Sequence, residues 1–177
     1  MNATSTPSLK TLITADQIET RVAELAKQIS NDFPTEPLVL VGILKGSFLF
    51  IADLCRHLSD NVSIDFMQVS SYGAERTSSG VVQIRKDLDI NIEGKHVLVV
   101  EDIVDSGLTL TYLMEVLKTR QPASLKVIAF LSKPGARRHD VKIDYVGFEI
   151  PDDFVVGYGL DDGERHRNLP FIAQVLG

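Results

Sequence analysis

Val97-Leu98-Val99-Val100-Glu101-Asp102-Ile103-Val104-Asp105-Ser106-Gly107-Leu108-Thr109-Leu110 is the stretch whose reading decides the fold. Four consecutive apolar residues, Val97 to Val100, read as a strand buried on both faces, as the central strands of parallel sheets are. That strand runs straight into acid: Glu101, Asp102 and Asp105 place three carboxylates at its carboxyl end, where unscreened like charges carry a cost and ask for a cationic partner. Leu110, Leu113, Val116 and Leu117 follow at helical spacing.

Between strand and helix lies Asp105-Ser106-Gly107-Leu108-Thr109. A glycine in a tight turn lets backbone N–H groups converge, and the positive end of a helix follows, so the turn is an anion cradle. Ser106 and Thr109 add hydroxyl donors. The carboxylates suit sugar hydroxyls or a hydrated Mg²⁺, and the amides suit a phosphate. A sugar phosphate needs both. The alternative makes Asp105 or Ser106 a plain helix N-cap and leaves Glu101 and Asp102 as solvated loop charges.

Working outward, strands alternate with helices. Thr14 to Gln17 has the form of a capping box, and Ile18, Val22, Leu25, Ala26 and Ile29 carry a first helix to about Asn31. Leu38 to Leu44 reads as a second buried strand, and Lys45-Gly46-Ser47 turns it into a helix bearing Phe48, Ile51, Leu54, Cys55 and Leu58. Val62, Ile64 and Phe66 alternate as a half-buried strand, with Val81 to Ile84 as its return. Leu125 to Leu131, Ile143 to Ile150 and Phe154 to Tyr158 supply three more strands, and residues 1–10 are expected to form a loose arm. The polar, glycine-bounded loop over 70–80 is longer than a hairpin needs; it is either a lid or a floppy hairpin tip. The pattern is α/β, an open, mostly parallel sheet flanked by helices, whose ligands sit beyond the strand carboxyl ends. Lys45, Glu101, Asp102, Asp105 and Lys133 are all expected just past such an end.

The 177 residues suit one domain, 1–177, without linker, repeat or low-complexity tract. A net charge of −6 speaks against nucleic acid or an anionic membrane as partner. The longest apolar region, Val39 to Cys55, is interrupted by Lys45 and Asp53 and falls short of a membrane span. Cys55, the single cysteine, reads as a reduced core thiol in a cytoplasmic protein. The four histidines have no metal-ligand spacing.

Residues Val97 to Thr109 resemble the phosphoribosyl pyrophosphate (PRPP) motif of type I phosphoribosyltransferases: several apolar residues, two acids, two apolar residues, then Asp-Ser/Thr-Gly-x-Thr. Leu44-Lys45-Gly46 is similar to the pyrophosphate loop of the 6-oxopurine branch, in which the Leu-Lys peptide can be cis. Neither a dinucleotide Gly-x-Gly-x-x-Gly nor a Walker loop fits, since Lys45 precedes the glycine it should follow. Ser71-Tyr72-Gly73 looks like the start of the family's mobile lid, Lys133-Pro134 like its purine-reading lysine, and Pro151 to Asp161 like its base-stacking segment. The segment departs from the family at Asp162-Gly163, where an aromatic is expected, and at His166, where bacterial relatives usually carry Tyr.

The resemblance implies a small hood over the sheet and a purine-salvage reaction making IMP or GMP from hypoxanthine or guanine and PRPP, with pyrophosphate released. It assigns PRPP to Leu44, Lys45, Gly46, Glu101, Asp102, Asp105, Ser106, Gly107, Leu108 and Thr109, and the purine to Ile103, Lys133, Phe154, Val155 and Asp161. It implies Mg²⁺ near Glu101, Asp102 and Asp161, Asp105 as general base, Arg167 beside the departing pyrophosphate, and Tyr72 closing over the site. A homodimer or homotetramer is implied as well. Two other readings stay open: a xanthine-preferring transferase, and an RNA-binding regulator on the same fold.

Overall fold

The computed structural model describes residues 8–71 and 82–176. In chain order these form β1 (Ser8–Ile13), α1 (Ala15–Asp32), β2 (Leu38–Leu44), α2 (Phe48–Arg56), β3 (Val62–Ser71), β4 (Val82–Lys86) and β5 (His96–Val104). They continue as α3 (Leu108–Lys118), β6 (Ser124–Ser132), β7 (Tyr145–Glu149), β8 (Val155–Val156) and β9 (Ile172–Leu176). The main sheet has the order β4-β3-β2-β5-β6-β7, parallel except for the β3–β4 hairpin.

Period-two alternation gives the sheet two cores. Leu38, Leu40, Leu98, Val100, Ile128 and Phe130 face α1 and α2, while Val39, Val41, Val97, Val99, Val127 and Ala129 face α3. This is why the central strands read as unbroken apolar runs. Phe130 joins the first core to its surroundings, with ring centroids 5.1 Å from Phe50, 5.6 Å from Phe148 and 4.8 Å from Tyr158.

Helix α1 starts as its sequence predicts. Gln17 N donates to Thr14 Oγ1 at 3.3 Å and Thr14 N to Gln17 Oε1 at 2.9 Å, the reciprocal capping box. Its Arg21 reaches across to the β7 carbonyls of Gly147 and Val146, at 2.9 and 2.8 Å, and so pins the helix to the far side of the sheet.

Three expectations are corrected. Residues 8–10 are not a loose arm: they belong to β1, which pairs antiparallel with β9 in a three-stranded hood, β1-β9-β8. Strand β9 carries no turn-bounded alternation to announce it, and its partner is the opposite end of the chain. The expected strand Phe154 to Tyr158 shrinks to Val155–Val156, because Gly157, Tyr158 and Gly159 all take positive φ, at 100°, 45° and 100°. Glu101 and Asp102 lie inside β5, not beyond it, since pairing to β6 continues to Val104. Most of the expected lid, including Tyr72, lies outside the described residues.

Candidate active site

The strand order reverses between β2 and β5: the chain leaves β2 toward β3 and leaves β5 toward β6. Loops that diverge in this way open a crevice at the carboxyl ends of the two strands. Lys45 and Gly46 stand on one side of it, Asp102 and Asp105 on the other. The Leu44–Lys45 peptide is cis. The two loops touch closely: a Cβ on Gly46 would lie 1.5 Å from Asp102 Oδ2 and 2.5 Å from its Cγ. Only glycine lets that carboxylate rest on the loop backbone.

Gly107, with φ +84°, is the residue that precedes α3, and no side chain caps the helix. The Asp105 carboxylate therefore does not cap α3. Ser106 Oγ lies 3.4 Å from Leu108 N, and the Ser106 carbonyl turns outward to accept the N–H groups of Arg138 and His139, both at 3.0 Å. The first amides of α3 have no partners within the helix. A cavity of about 110 Å³ is lined by Glu101, Ile103 and the turn from Val104 to Leu110.

The acids of β5 sit in low-dielectric surroundings. Burial pushes the Glu101 carboxyl well above the usual range, and the neighbouring Asp102 charge adds to this. Asp102 is pushed up to about 6, again chiefly by burial; the Ile103 N–H and the Arg167 charge oppose the rise, and Asp161 adds to it.

Asp105, by contrast, is exposed and lies beside Lys133. Lys133 Nζ is 3.8 Å from Asp105 Oδ2 and 3.3 Å from Asp152 Oδ1. Although charged, Lys133 is only 7% exposed, so the two carboxylates compensate a cation that water barely reaches. Its own N–H donates to Val104 O at 3.0 Å, which fixes it to the end of β5. Phe154 is 56% exposed and Val155 is buried in β8, so the phenyl ring is an open apolar face and not a core aromatic.

The tail segment packs against the loop after β2. A Cβ on Gly159 would meet Gly46 O at 2.0 Å, so the turn is pressed onto the loop after β2. Tyr158 anchors the same turn from behind, its hydroxyl donating to Asp53 Oδ2 at 2.7 Å. Arg167 Nη1 donates to Gly159 O at 2.8 Å, and its Nη2 lies 2.8 Å from Asp161 Oδ1. Its Nε is buried without a hydrogen-bond partner among the described residues. Glu164 bridges Lys45 and Arg167, at 3.0 and 3.4 Å, and hydrogen bonds from these two cations lower its carboxyl.

The structure therefore assembles two groups from the sequence-predicted residues. Lys45, Gly46, Asp102, Asp161 and Arg167 converge at one end of the crevice; Asp105 and Lys133 meet at the other, with the Ser106–Thr109 turn between. It does not assemble the three-carboxylate metal set. Among the described residues no three ligating side chains come together, and Asp161 is held by Arg167 and by the N–H of Glu164 at 2.8 Å. Sequence reasoning missed Asp152, Gly159 and Glu164. The Gly157-Tyr158-Gly159 spacing was a signal for a strained turn, but the acids lacked any motif of their own.

A crevice at a parallel-sheet switch point, bordered by a glycine turn, acids and cations, is where open α/β sheets bind their ligands. The phosphoribosyl transferase domain family matches residues 9–163, and the chain belongs to it. Hypoxanthine-guanine phosphoribosyltransferase of Bacillus subtilis (strain 168) is 48% identical over 164 residues, 93% of this chain and 91% of that protein. The enzyme of the same name from Mycobacterium tuberculosis (strain H37Rv) is 52% identical over 168 residues, 92% of this chain and 83% of its own. A crystal structure of a hypoxanthine-guanine phosphoribosyltransferase from Bacillus anthracis superposes with a TM-score of 0.91 at 50% identity, covering 96% of this chain and all 100% of that one.

Proposed function

We propose that this chain moves the phosphoribosyl group of PRPP onto N9 of a 6-oxopurine, making IMP from hypoxanthine or GMP from guanine and releasing pyrophosphate. One observation carries the reading furthest: Lys133, buried and flanked by Asp105 and Asp152, is bonded through its backbone to the strand that ends in the phosphate turn. A donor there favours a purine with a carbonyl at C6. Adenine offers an amine instead, a second donor that the ammonium cannot bond.

Each group then has a part. The turn amides from Ser106 to Thr109 hold the 5′-phosphate, and Glu101 and Asp102 face the ribose hydroxyls. Phe154 stacks on the base beside Ile103, which is worth about 1–3 kcal/mol in comparable sites, and the Val155 carbonyl meets its edge. Asp105 accepts the proton of the imidazole edge as N9 bonds to C1 of the sugar. The C1–oxygen bond breaks with its electron pair going to pyrophosphate, whose charge Lys45, the Gly46 amide and Arg167 receive. To Tyr72, which lies outside the described residues, this reading gives the exclusion of water.

The donor chemistry of Glu101 and Asp102 suits Mg²⁺, which keeps water and substrate oxygens in its shell and needs few protein ligands. Bound there, the ion would withdraw charge from the leaving pyrophosphate. Asp161 serves to orient Arg167. The cytoplasmic setting and the homo-oligomer expected from the sequence remain part of this reading; among the described residues no helix is long and apolar enough to cross a membrane.

The test is an absorbance assay of the purified chain with PRPP and Mg²⁺ against hypoxanthine, guanine, xanthine, adenine and uracil. Turnover of the first two, abolished by a chelator, is expected. Turnover confined to xanthine or uracil, or a rate that survives the chelator, overturns the assignment.

A further inference from the structure

In the turn from Asp161 to Arg167, Glu164 has no part in the transfer, yet it is paired with both Lys45 and Arg167. Glu164 sits at φ +67°, a backbone conformation that an ordinary side chain rarely adopts, directly after Gly163 at φ +56°. The turn closes without the Glu164 carboxylate. Asp162 and Arg165 exchange both backbone hydrogen bonds at 3.1 Å, and Glu164 N donates to Asp161 Oδ2 at 2.8 Å. Its side chain instead reaches a loop 119 positions earlier: Oε2 accepts from Lys45 Nζ at 3.0 Å, while Oε1 lies 3.4 Å from Arg167 Nη2.

One carboxylate thus spans the two cations assigned to pyrophosphate, an oxygen on each, as two oxygens of a phosphoryl group would. The Lys45 and Glu164 side chains are 53% and 65% exposed, so the pair lies open to solvent, and exposed ion pairs are weak enough to exchange. We propose that Glu164 is an internal anion that occupies the Lys45–Arg167 pair whenever pyrophosphate is absent and must be displaced for pyrophosphate, free or within PRPP, to bind. Glu164 is then a residue that sets diphosphate affinity, and it helps the product leave by reclaiming both cations. An anion tethered to the site competes at an effective concentration that no dilution lowers. The inference rests on the reading that Lys45 and Arg167 receive the pyrophosphate.

Calorimetric titration of the full chain with magnesium pyrophosphate tests it. Glu164→Gln and Glu164→Ala should both bind roughly two- to fivefold tighter than wild type, the gain expected from deleting a weak exposed competitor. The KM for PRPP should fall in parallel without a rise in kcat. In a Lys45→Met background the gain from Glu164→Gln should shrink, because a competitor for Lys45 has nothing left to contest. Unchanged or weaker binding in both variants overturns the proposal, as does an undiminished gain in the Lys45→Met background, which would mark a general charge effect. Wild-type protein that takes up no pyrophosphate at millimolar concentration sinks the site reading itself, and this inference with it.

Discussion

The two walls of the crevice are built by opposite means. The acidic wall, Glu101 to Thr109, is one run of chain: a strand buried on both faces, a glycine turn and a helix start, each shaped by its immediate neighbours. The cationic wall is composite. Lys45 meets Glu164 across 119 positions, Tyr158 meets Asp53 across 105, and Gly159 rests on the backbone of Gly46. The proposed reading puts proton transfer on the local wall and leaves the composite one to hold the groups apart. Substitutions in the first should change turnover, and substitutions in the second should change binding and stability.

Asp105→Asn should give the largest effect on the local wall. Loss of a positioned base lowers kcat by about 10²–10⁴, whereas the Kd for PRPP should move less than about threefold, since Asp105 does not cap the phosphate turn. Equal losses in both, read by steady-state kinetics and calorimetry, would erase the distinction between the walls.

On the composite wall, Gly159→Ala adds a Cβ 2.0 Å from Gly46 O at a residue with φ +100°. Overpacking against backbone costs about 1–3 kcal/mol, so the midpoint of unfolding should drop and the KM for PRPP should rise. Gly135→Ala, where a Cβ meets nothing within 4 Å, is the matched control and should leave both unchanged. A Gly159 variant as stable as the control would show that the turn is not seated on the loop.

Lys133→Ala joins the walls' functions at the base end. Removing a buried charged donor should lower kcat/KM for hypoxanthine and guanine about 10–100-fold, the loss of one charge-assisted hydrogen bond, and should affect adenine not at all. Unaltered rates with both 6-oxopurines would remove Lys133 from base recognition.

The smallest effect is a pH dependence. The Asp102 carboxyl is raised from 3.8 to about 6 in the fold. The folded protein therefore binds this proton more tightly than the unfolded chain, and the contribution is fully present below pH 3.8 and lost as pH rises through about 6. Burial raises Glu101 as well, so it acts in the same direction. Asp65 acts oppositely. Its burial is outweighed by N–H donors from Ile90, Phe66 and Asp89, its carboxyl is lowered, and its contribution is lost as pH falls. The melting temperature of Asp102→Asn, relative to wild type, should climb by a few degrees as pH rises from 4 to 7. A difference independent of pH would show that Asp102 does not titrate in the free protein.

The acidic wall was legible because its signals are contiguous. Four apolar residues, two acids and Asp-Ser-Gly-Leu-Thr specify strand, turn and helix without reference to anything distant, and the alternation of β2, β5 and β6 gave the sheet its class. Even here one boundary moved: pairing to β6 carried β5 through Glu101 and Asp102, because ladder hydrogen bonds outlast the apolar run. Asp152 and Glu164 were not legible, since an acid in a polar turn gains a role only from the cation brought against it.

By itself, then, the amino-acid order determined the class of fold and the run of strand, glycine turn and helix start from Glu101 to Thr109, all of which depend on residues within a few positions of one another. Only the tertiary structure decided that β1 closes a hood with β9, that Gly159 seats the tail on the pyrophosphate loop, and that Glu164 reaches both Lys45 and Arg167. Contacts between distant segments obey no period in the chain; they exist because packing two cores on one twisted sheet leaves those backbones a single place to meet.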